Sequence, residues 1–517
     1  MMKKEILNAK MAGVIAATLL LFATVVSSAA TFTAVTSGNW GNSATWGGAV
    51  PPTTIVADHV IIPSGISVSV NDITLNGTLA VLEVNGMLSS AANTTFSIVS
   101  GTVAGTGQFN TDNVTIEQDA VIPFSGSLTA NVLSCNLLNL PVQAHIMVIQ
   151  ALNLNSGVLK IETGGSLDVA EHAAVVLSGG VVVVNGGTIG LGSMYNVTYL
   201  TNPAIAGAEL TGAGLYDVTI DVGVGNAVTL TSDLIVQGTL NLVSGYLDAG
   251  NYNAQISAGG SVSGMSNTAY VVTGASGRLS MYLNAGAPSY TLFPVGTGAH
   301  FFPVEVRLSP NSPSGLVYVS VNPDVYSAGT GGTDITYSQP AVDATWFVNS
   351  EITSNLDMNV KLMWPAAAQV NGFNYSAAYI SNNLSGNWNV APAVSAGIEP
   401  NGLYSLASNN IAYLSPFAVF DQNTIATEVF ALAAQMSFEV YPNPASDNIN
   451  VQFDLANYEP LYFEVLDILG SRLYSGRITK TNTTIPLTDF LPGNYFIRIY
   501  NNDISLVRKF IKDVKVR

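Results

Sequence analysis

Charged residues are scarce in this chain of 517 residues: they make up 9% of it, against roughly 25% in an average globular protein. Basic residues are scarcer still, because Lys and Arg total 16 against 33 Asp and Glu, for a net charge of −17. A basic surface that could follow a phosphate backbone is missing, so we predict no nucleic-acid partner. The low charge, together with 48% hydrophobic residues, also argues against a disordered tail protein or a coiled coil.

Cysteine and histidine are almost absent as well. The single cysteine, Cys135, excludes an intrachain disulfide, so packing and hydrogen bonds must hold the fold, and we expect a buried, inert thiol. The histidines stand far apart, without the spacing of zinc or iron ligands: His59, His145, His172 and His300. We therefore predict structural or surface roles for them and no resident cofactor.

The first 30 residues have the features of a secretory signal peptide. Lys3, Lys4 and Lys10 give a basic start, the stretch 11–26 is apolar, and small residues occupy 27–30. The alternative, a membrane anchor, is disfavoured because an apolar stretch of about 16 residues is shorter than the roughly 17–25 of a spanning helix. We predict that residues 1–30 direct export and are removed.

Residues 31–265 consist of short apolar alternations separated by Gly, Asn, Ser and Thr, which indicates strand after strand. A small unit recurs, in which a glycine stands between two apolar positions, as at 75–79, 84–88, 99–103, 124–128, 236–240 and 243–247. The spacing of the unit drifts, as it does in a solenoid whose coils contact only their neighbours. We predict a right-handed parallel β-helix. A barrel or sandwich would require regular two-residue hairpin turns, of which few are present.

Two tryptophans mark the start of this region. Trp40 lies in Ser-Gly-Asn-Trp and Trp46 in Ala-Thr-Trp-Gly-Gly, and the segment resembles the opening of the eight-glycine type of domain in secreted bacterial surface proteins. The first coil of a solenoid exposes unpaired strand edges, which a pair of large rings can cover. We therefore predict that Trp40 and Trp46 form the cap of the solenoid.

Residues 266–424 have longer strands, more aromatic residues and Pro-rich loops. They resemble the β-sandwich module that stands between a solenoid and an export tail in secreted proteins of the Bacteroidetes. Trp346, Trp364 and Trp388 are expected in the core of this sandwich, with a sugar-stacking platform as the alternative.

One loop of this region suggests a possible Ca²⁺ site. Asp324 and Asp334 stand among glycines in the loop from Asn322 to Gln339, and carboxylates are the ligands that Ca²⁺ prefers. The loop lacks an ordered series of ligands, so calcium is only an alternative to the prediction of no cofactor.

After a predicted linker at 425–436, residues 437–517 change composition, with nine basic and nine acidic residues. Prolines mark an edge-strand entry and glycines permit turns. In order and spacing, the segment resembles the type A C-terminal sorting domain of the type IX secretion system, an immunoglobulin-like β-sandwich. The positions that match are Tyr441, Pro442, Asn443, Pro444, Gly470, Pro492, Gly493, Tyr495 and Lys509.

This resemblance implies a route of export and a set of partners. The chain would cross the inner membrane by its signal peptide, and an outer-membrane translocon would recognise the C-terminal domain. A sortase-like processing machinery would then remove the tail. The body would be released or attached to the cell surface, with lipopolysaccharide or another glycan as a possible partner.

Residues for an enzymatic activity are not apparent in the solenoid. A lyase needs a Lys or Arg base, and a glycosidase needs two carboxyls about 5 to 9 Å apart. Lys160 is the sole basic residue of the solenoid, and Asp168, Glu171 and His172 read as a polar bend between coils. We expect a non-enzymatic structural or adhesin-like protein. The alternatives are a carbohydrate-binding protein and a polysaccharide lyase or glycoside hydrolase.

Overall fold

The computed structural model describes residues 29–136, 139–201, 205–274, 276–384, 386–422, 438–453, 461–468, 470–478, 480, 482–500 and 505–513. The fold is 57% strand and 4% helix, so the all-β prediction is confirmed. The predicted signal peptide, apart from Ala29 and Ala30, and the predicted linker at 425–436 lie outside the described residues. The helices of the described part are short 3₁₀ turns, at Ser43–Trp46, Ala208–Leu210, Ile335–Tyr337, Ala366–Ala368 and Tyr375–Ala377.

The chain forms two compact units. The first comprises the described residues up to Pro323, together with Trp346–Trp364 and Ala407–Leu414. The second comprises Asp324–Thr345, Pro365–Leu406 and the described residues from Ser415 onward.

The first unit begins with a β-solenoid, as predicted, and this solenoid has about 11 turns. Its strands pair in parallel with strands one coil further along the chain. They are β1 (Thr31–Thr33), β2 (Gly38–Asn39), β3 (Thr54–Ile55), β4 (His59–Ile62), β5 (Ser67–Val70), β6 (Ile73–Val84), β7 (Met87–Ser90), β8 (Thr95–Ala104), β9 (Gln108–Val121), β10 (Ser127–Cys135), β11 (Asn139–Val142), β12 (His145–Leu154), β13 (Gly157–Glu162), β14 (Ser166–Val169), β15 (Ala174–Leu177), β16 (Gly180–Asn185), β17 (Thr188–Leu191), β18 (Tyr195–Tyr199), β19 (Leu215–Asp221), β20 (Ala227–Thr229), β21 (Leu234–Val236), β22 (Thr239–Ser244), β23 (Tyr246–Asp248), β24 (Asn253–Ile256), β25 (Ser261–Ser263) and β26 (Val271–Val272).

The solenoid core consists of columns of aligned inward-facing side chains. Side chains alternate between the two faces of a strand, so every second residue points inward, and parallel register places it above its counterpart in the next coil. One buried column contains Ile55, Leu75, Ile98, Ile116, Cys135, Leu154, Leu177, Tyr199, Ile220 and Leu242. The recurrent unit is therefore unevenly spaced in the sequence because the coils differ in length, although they share one continuous core.

Cys135 occupies one level of this column, between Ile116 and Leu154. Burial among apolar side chains raises the pKa of its thiol to about 12. The prediction of a buried thiol is confirmed. Because the thiolate is the reactive form, the raised pKa agrees with the expectation that the thiol is inert, which stays a prediction.

Several glycines of the solenoid, among them Gly77 of the recurrent unit, lie where one coil approaches the next. A Cβ atom on Gly77 would lie 1.9 Å from the carbonyl oxygen of Val56, and one on Gly105 would lie 2.1 Å from that of Val84. Gly105 also has φ +112°, a conformation that side chains disfavour. Any larger residue at either position would push neighbouring coils apart.

The first coil contains the two predicted cap residues. Trp40 and Trp46 are both buried, with ring centroids 5.0 Å apart and planes at 73°. The Trp46 indole donates to the Trp40 carbonyl at 2.7 Å, and the Trp40 indole donates to the Pro51 carbonyl at 3.0 Å. The structure therefore brings both rings together, while their function as a cap stays a prediction.

After the solenoid, antiparallel pairing appears. The strands are β27 (Arg278–Leu283), β28 (Thr291–Phe293), β29 (Val295–Gly296), β30 (Val304–Leu308), β31 (Gly315–Asn322), β32 (Ala341–Val342), β33 (Thr345–Ser350), β34 (Met358–Trp364), β35 (Gln369–Val370), β36 (Ala378–Leu384), β37 (Asn387–Trp388), β38 (Gly397–Ile398), β39 (Tyr404–Ile411) and β40 (Pro416–Asp421). Strand β27 marks the change: it pairs in parallel with β24 on one edge and antiparallel with β31 on the other. Parallel pairing also continues through β26 and β29.

The three tryptophans of this region differ in burial. Trp346 and Trp364 are fully buried in the first unit, which confirms their predicted place in the core. Trp388, in the second unit, is half-buried: its indole donates to the Tyr326 carbonyl at 2.8 Å, and its ring meets Phe420 edge-on at 5.4 Å.

The C-terminal segment, in the second unit, adds β41 (Phe438–Tyr441), β42 (Asn448–Phe453), β43 (Leu461–Leu466), β44 (Arg472–Ile478), β45 (Asn482–Pro486), β46 (Gly493–Tyr500) and β47 (Ser505–Lys512). The described pairings between these strands are antiparallel, and one isolated parallel bridge joins Ala445 to Lys512 of β47.

Candidate functional site: the C-terminal sandwich

The strands β41–β47 form a two-sheet sandwich. One sheet has the order β41-β42-β45 and the other has the order β44-β43-β46-β47. This is an immunoglobulin-like arrangement in which β44, the fourth strand of the domain, belongs to the second sheet. Alternating residues of both sheets fill the space between them. Its core contains Phe438, Ala445, Ile449, Val451, Leu461, Phe463, Val465, Ile478, Ile485, Leu487, Tyr495, Ile497, Ile499 and Phe510.

The Tyr-Pro-Asn-Pro segment, which begins with the last residue of β41, is hydrogen-bonded to the last strand of the sandwich. The Asn443 carboxamide oxygen accepts from the Ile511 N–H at 2.9 Å, and its nitrogen donates to the Lys509 carbonyl at 3.3 Å. Two residues on, the Ala445 N–H donates to the Ile511 carbonyl at 2.9 Å, and its carbonyl accepts from the Asp513 N–H at 2.8 Å. Asn443 therefore joins the two ends of the domain.

Replacing Asn443 with alanine is expected to loosen β47. The Ile511 N–H and the Lys509 carbonyl lose their side-chain partner, at a cost of roughly 1 kcal/mol for each exposed bond at most. Hydrogen exchange of the full chain, followed by mass spectrometry, should show faster exchange in peptides covering 505–513. Asn494→Ala is the matched control, because Asn494 is an exposed amide on the neighbouring strand β46. Equal exchange in the two variants would show that the Asn443 bonds do not hold the strand.

Tyr495 is a tyrosine corner at the start of β46. Its hydroxyl donates to the Leu491 carbonyl at 2.7 Å, four residues upstream, and so fixes the turn that feeds the strand. Its ring stacks on Phe510 at 5.7 Å and meets Phe490 edge-on at 5.4 Å. This one residue therefore links turn geometry to the core.

The other predicted motif residues lie at turns and edges. Gly470 has φ +81° in the turn after β43, where its N–H donates to the Asp467 carbonyl at 3.1 Å. Pro492 precedes Gly493, the first residue of β46, and Lys509 is exposed on β47. Tyr441 is 37% exposed, and its hydroxyl accepts from the Asn482 amide at 2.9 Å. The motif residues therefore lie at turns and strand ends of the sandwich.

The outer face of the four-stranded sheet contains an ion pair that sequence reasoning missed. Arg498 on β46 lies opposite Glu464 on β43, with Nη1 3.1 Å from Oε1. The guanidinium also lies 5.0 Å above the ring of Tyr500. Tyr462, directly across from Tyr500, is 41% exposed. This face presents aromatic and basic groups to solvent, a combination common at protein interfaces.

In the solenoid, the predicted polar cluster remains spread over an exposed turn. Glu171 accepts from the Ser193 hydroxyl at 2.7 Å, while the side chains of Glu171 and His172 are about 60% exposed and 3.9 Å apart. Asp168 lies on β14 and accepts from Ser166 at 3.4 Å. The structure does not bring these groups around a common cavity.

Lys160, the sole basic residue of the solenoid, is paired. Its Nζ lies 2.8 Å from Glu162 Oε1, two residues along β13. Hydrogen bonds from Lys160 and from the Asn185 amide lower the pKa of Glu162.

The loop considered for calcium uses its carboxylates internally. Asp334 Oδ1 accepts from the Thr336 N–H at 2.9 Å, and Asp324 Oδ2 accepts from the Tyr326 hydroxyl at 3.4 Å. Asp343, outside the loop, accepts a hydrogen bond from the Asp324 N–H at 3.2 Å. Burial raises the pKa of the Asp343 carboxyl, and the nearby Asp324 carboxylate raises it further. Across the part of the chain that the structure describes, no group of three or more His, Cys, Asp or Glu residues is arranged to hold a metal ion.

A buried carboxylate inside the solenoid was also missed from sequence. Glu209 is 1% exposed; its Oε1 accepts from the Tyr199 hydroxyl at 2.6 Å and the Gly207 N–H at 2.7 Å, and its Oε2 from the Val182 N–H at 3.3 Å. The Tyr195 hydroxyl donates to its carbonyl at 2.9 Å. Burial raises the pKa of Glu209, and the hydrogen bonds to its carboxylate from Tyr199, Gly207 and Val182 oppose the rise. The sequence feature that could have indicated a buried carboxylate is a single acidic residue between apolar ones, in Gly-Ala-Glu-Leu.

Comparisons with known proteins identify the C-terminal segment. A family model described as a secretion system C-terminal sorting domain matches residues 439–513. No curated protein matches the chain. Among the described residues, no helix is long and apolar enough to cross a membrane.

Proposed function

We propose that the exported body of this protein is a non-enzymatic, adhesin-like spacer. The premise is that residues 439–513 are a type IX sorting domain and that the protein is secreted across the outer membrane or anchored on the cell surface. The sorting domain, which implies interaction with the type IX secretion machinery, carries the export part of this proposal, and the solenoid supports the spacer part. The signal peptide at 1–30 would supply the first step of the route, and removal of the tail the last.

The solenoid supports a spacer because its coils are joined outside as well as inside. The Asn136 amide donates to Glu117 at 2.7 Å, and the Asn155 amide donates to Asn136 at 2.7 Å, so polar side chains form a ladder along consecutive coils. At a strand spacing of about 4.8 Å, about 11 turns give a rod of roughly 50 Å. Such a rod holds its loops away from the point of attachment.

The placement of ionisable groups supports a non-enzymatic role. The titratable pairs on the solenoid surface, such as His59 with Glu83 at 3.2 Å and Lys160 with Glu162, join strands or neighbours and are partly exposed. A glycosidase or lyase depends instead on groups around a cleft, with a perturbed pKa on at least one of them.

Fractionation of the native cells tests the proposal. We expect the mature body in the medium or surface fraction, with mass spectrometry finding a new N-terminus near residue 30 and no peptides from 439–513. The purified body, incubated with neutral and uronic-acid polysaccharides, should release neither reducing ends nor unsaturated products, while a commercial hydrolase and lyase serve as positive controls. A steady release of either product would overturn the non-enzymatic assignment, and an intact tail in the periplasm would overturn the route.

A further inference from the structure

A cleft of about 560 Å³ opens on the first unit, where the solenoid ends and antiparallel pairing begins. Gln255, Tyr282, Ser314, Leu316, Glu351 and Ile352 are among the residues that line it. These come from β24, β27, the segment around β31 and the segment after β33. The cleft is distinct from the sorting domain and from the loop considered for calcium.

Register places the lining side chains on one outer sheet face. Gln255 pairs with Ser280, Tyr282 pairs with Leu316, and Ser280 pairs with Tyr318. Since alternate residues share a face, Ser280 and Tyr282 of β27 point the same way, as do Leu316 and Tyr318 of β31. The Glu351 N–H donates to the Leu316 carbonyl at 3.1 Å, which brings Glu351 to the far side of β31.

Three groups in the cleft are available to a ligand. The Tyr282 side chain is 43% exposed. The half-buried Gln255 carboxamide lines the same cleft. Glu351 is held in place because the Tyr318 hydroxyl donates to its Oε1, and the Tyr318 ring is itself covered by the Arg278 guanidinium at 4.3 Å. The second carboxylate oxygen of Glu351 remains to accept from a ligand.

We propose that this cleft binds an uncharged oligosaccharide. The exposed ring of Tyr282 can stack on the apolar face of a sugar ring, and the polar rim offers the partners that sugar hydroxyls need. A sugar hydroxyl can both donate and accept a hydrogen bond. The Glu351 carboxylate can accept one from it, and the Gln255 carboxamide can both donate and accept. From Gln255 to Glu351 the face crosses three strand spacings, about 14 Å, which is longer than one sugar ring.

Charge decides against an anionic glycan. Glu351 lies in the cleft itself, and residues 31–436 contain four basic residues and 23 acidic ones. A uronic-acid polymer would therefore meet a repulsive field. Arg278, the basic group at this face, is already engaged over Tyr318.

Affinity electrophoresis of the full-length protein tests this binding site. Native gels would contain hydroxyethyl cellulose, laminarin, xylan, glucomannan or dextran, and alginate and polygalacturonate would represent anionic polymers. We expect at least one neutral polymer to retard the protein and neither anionic polymer to do so. Tyr282→Ala should weaken binding about tenfold or more, since a tyrosine ring that becomes covered on binding contributes a large share of the contact. Glu351→Gln and Gln255→Ala should each weaken it by a smaller factor.

Tyr216→Ala is the control, because Tyr216 is a comparably exposed tyrosine on solenoid strand β19 and does not line the cleft. It should bind like the unchanged protein. Near-ultraviolet circular dichroism checks that each variant is folded. If Tyr282→Ala does not fold, Gln255→Ala still tests the site. The proposal is wrong if no neutral polymer retards the protein, if only the anionic polymers do, or if the folded cleft variants bind like Tyr216→Ala. The result does not depend on the export route, because purified protein is used.

Discussion

A chain that ends at residue 437 is expected to accumulate in the periplasm, with at most a trace reaching the medium or cell surface. The reason is that the truncation removes residues 439–513, the segment that matches a sorting domain. Immunoblots of periplasmic, outer-membrane and medium fractions, compared with the full chain, would measure the effect. Normal export of the truncated body would show that the route does not depend on this domain.

A single substitution in the core of the sandwich should reproduce that block. Phe510 is fully buried on β47, so Phe510→Asp places a carboxylate between two sheets, at a cost of about 4 kcal/mol or more. At roughly 0.05–0.15 kcal/mol per residue, a domain of this size has only about 4–11 kcal/mol of stability to lose. The matched control is Thr484→Asp, at an exposed position of β45, which should still be exported. Export of both variants would mean that the machinery reads an unfolded tail.

Glu209→Ala is expected to cause the largest loss of stability in the solenoid. The Tyr199 hydroxyl and the Gly207 N–H would lose their acceptor in the interior, at roughly 1–3 kcal/mol for each. Together they amount to roughly 2–6 kcal/mol, before any cost of the cavity. The midpoint of urea unfolding, followed by the fluorescence of the full chain, measures it. Glu171→Ala, at a largely exposed acid of the same solenoid, should leave the midpoint unchanged.

The same carboxylate should make stability depend on pH. Because burial raises the pKa of Glu209 in the folded state, the folded chain binds the proton more tightly than the unfolded chain does. Its contribution is therefore greatest below the ordinary value of 4.5 and is lost as pH rises through the folded pKa. Glu209→Gln, which stays neutral and keeps one oxygen acceptor, should gain stability relative to the native chain as pH rises from 4.5 to 8.

Unfolding midpoints of the two chains at each pH, compared with those of Glu171→Gln, isolate this effect from the other acids. A constant difference between native and Glu209→Gln chains over that range would mean that the hydrogen bonds fully offset the burial of the charge.

The amino-acid sequence by itself determined the class of fold and the export domain, because both rest on local patterns. Alternation of apolar and polar residues sets which side chains of a strand face inward, and Gly77 marks a close approach that any Cβ would obstruct. The tail was equally accessible, since Asn443, Gly470 and Tyr495 act through contacts near turns that constrain the residue type.

Only the tertiary structure decided which outward-facing groups become neighbours. The coil from Ile116 to Cys135 takes 19 residues and the coil from Leu154 to Leu177 takes 23, so sequence spacing does not fix register between distant coils. Glu351 therefore meets the face of Tyr282 through pairings that no local pattern encodes. The inward columns of apolar side chains tolerate coils of unequal length, because the hydrophobic effect has no preferred direction. A polar site depends on which residues of neighbouring strands pair with each other.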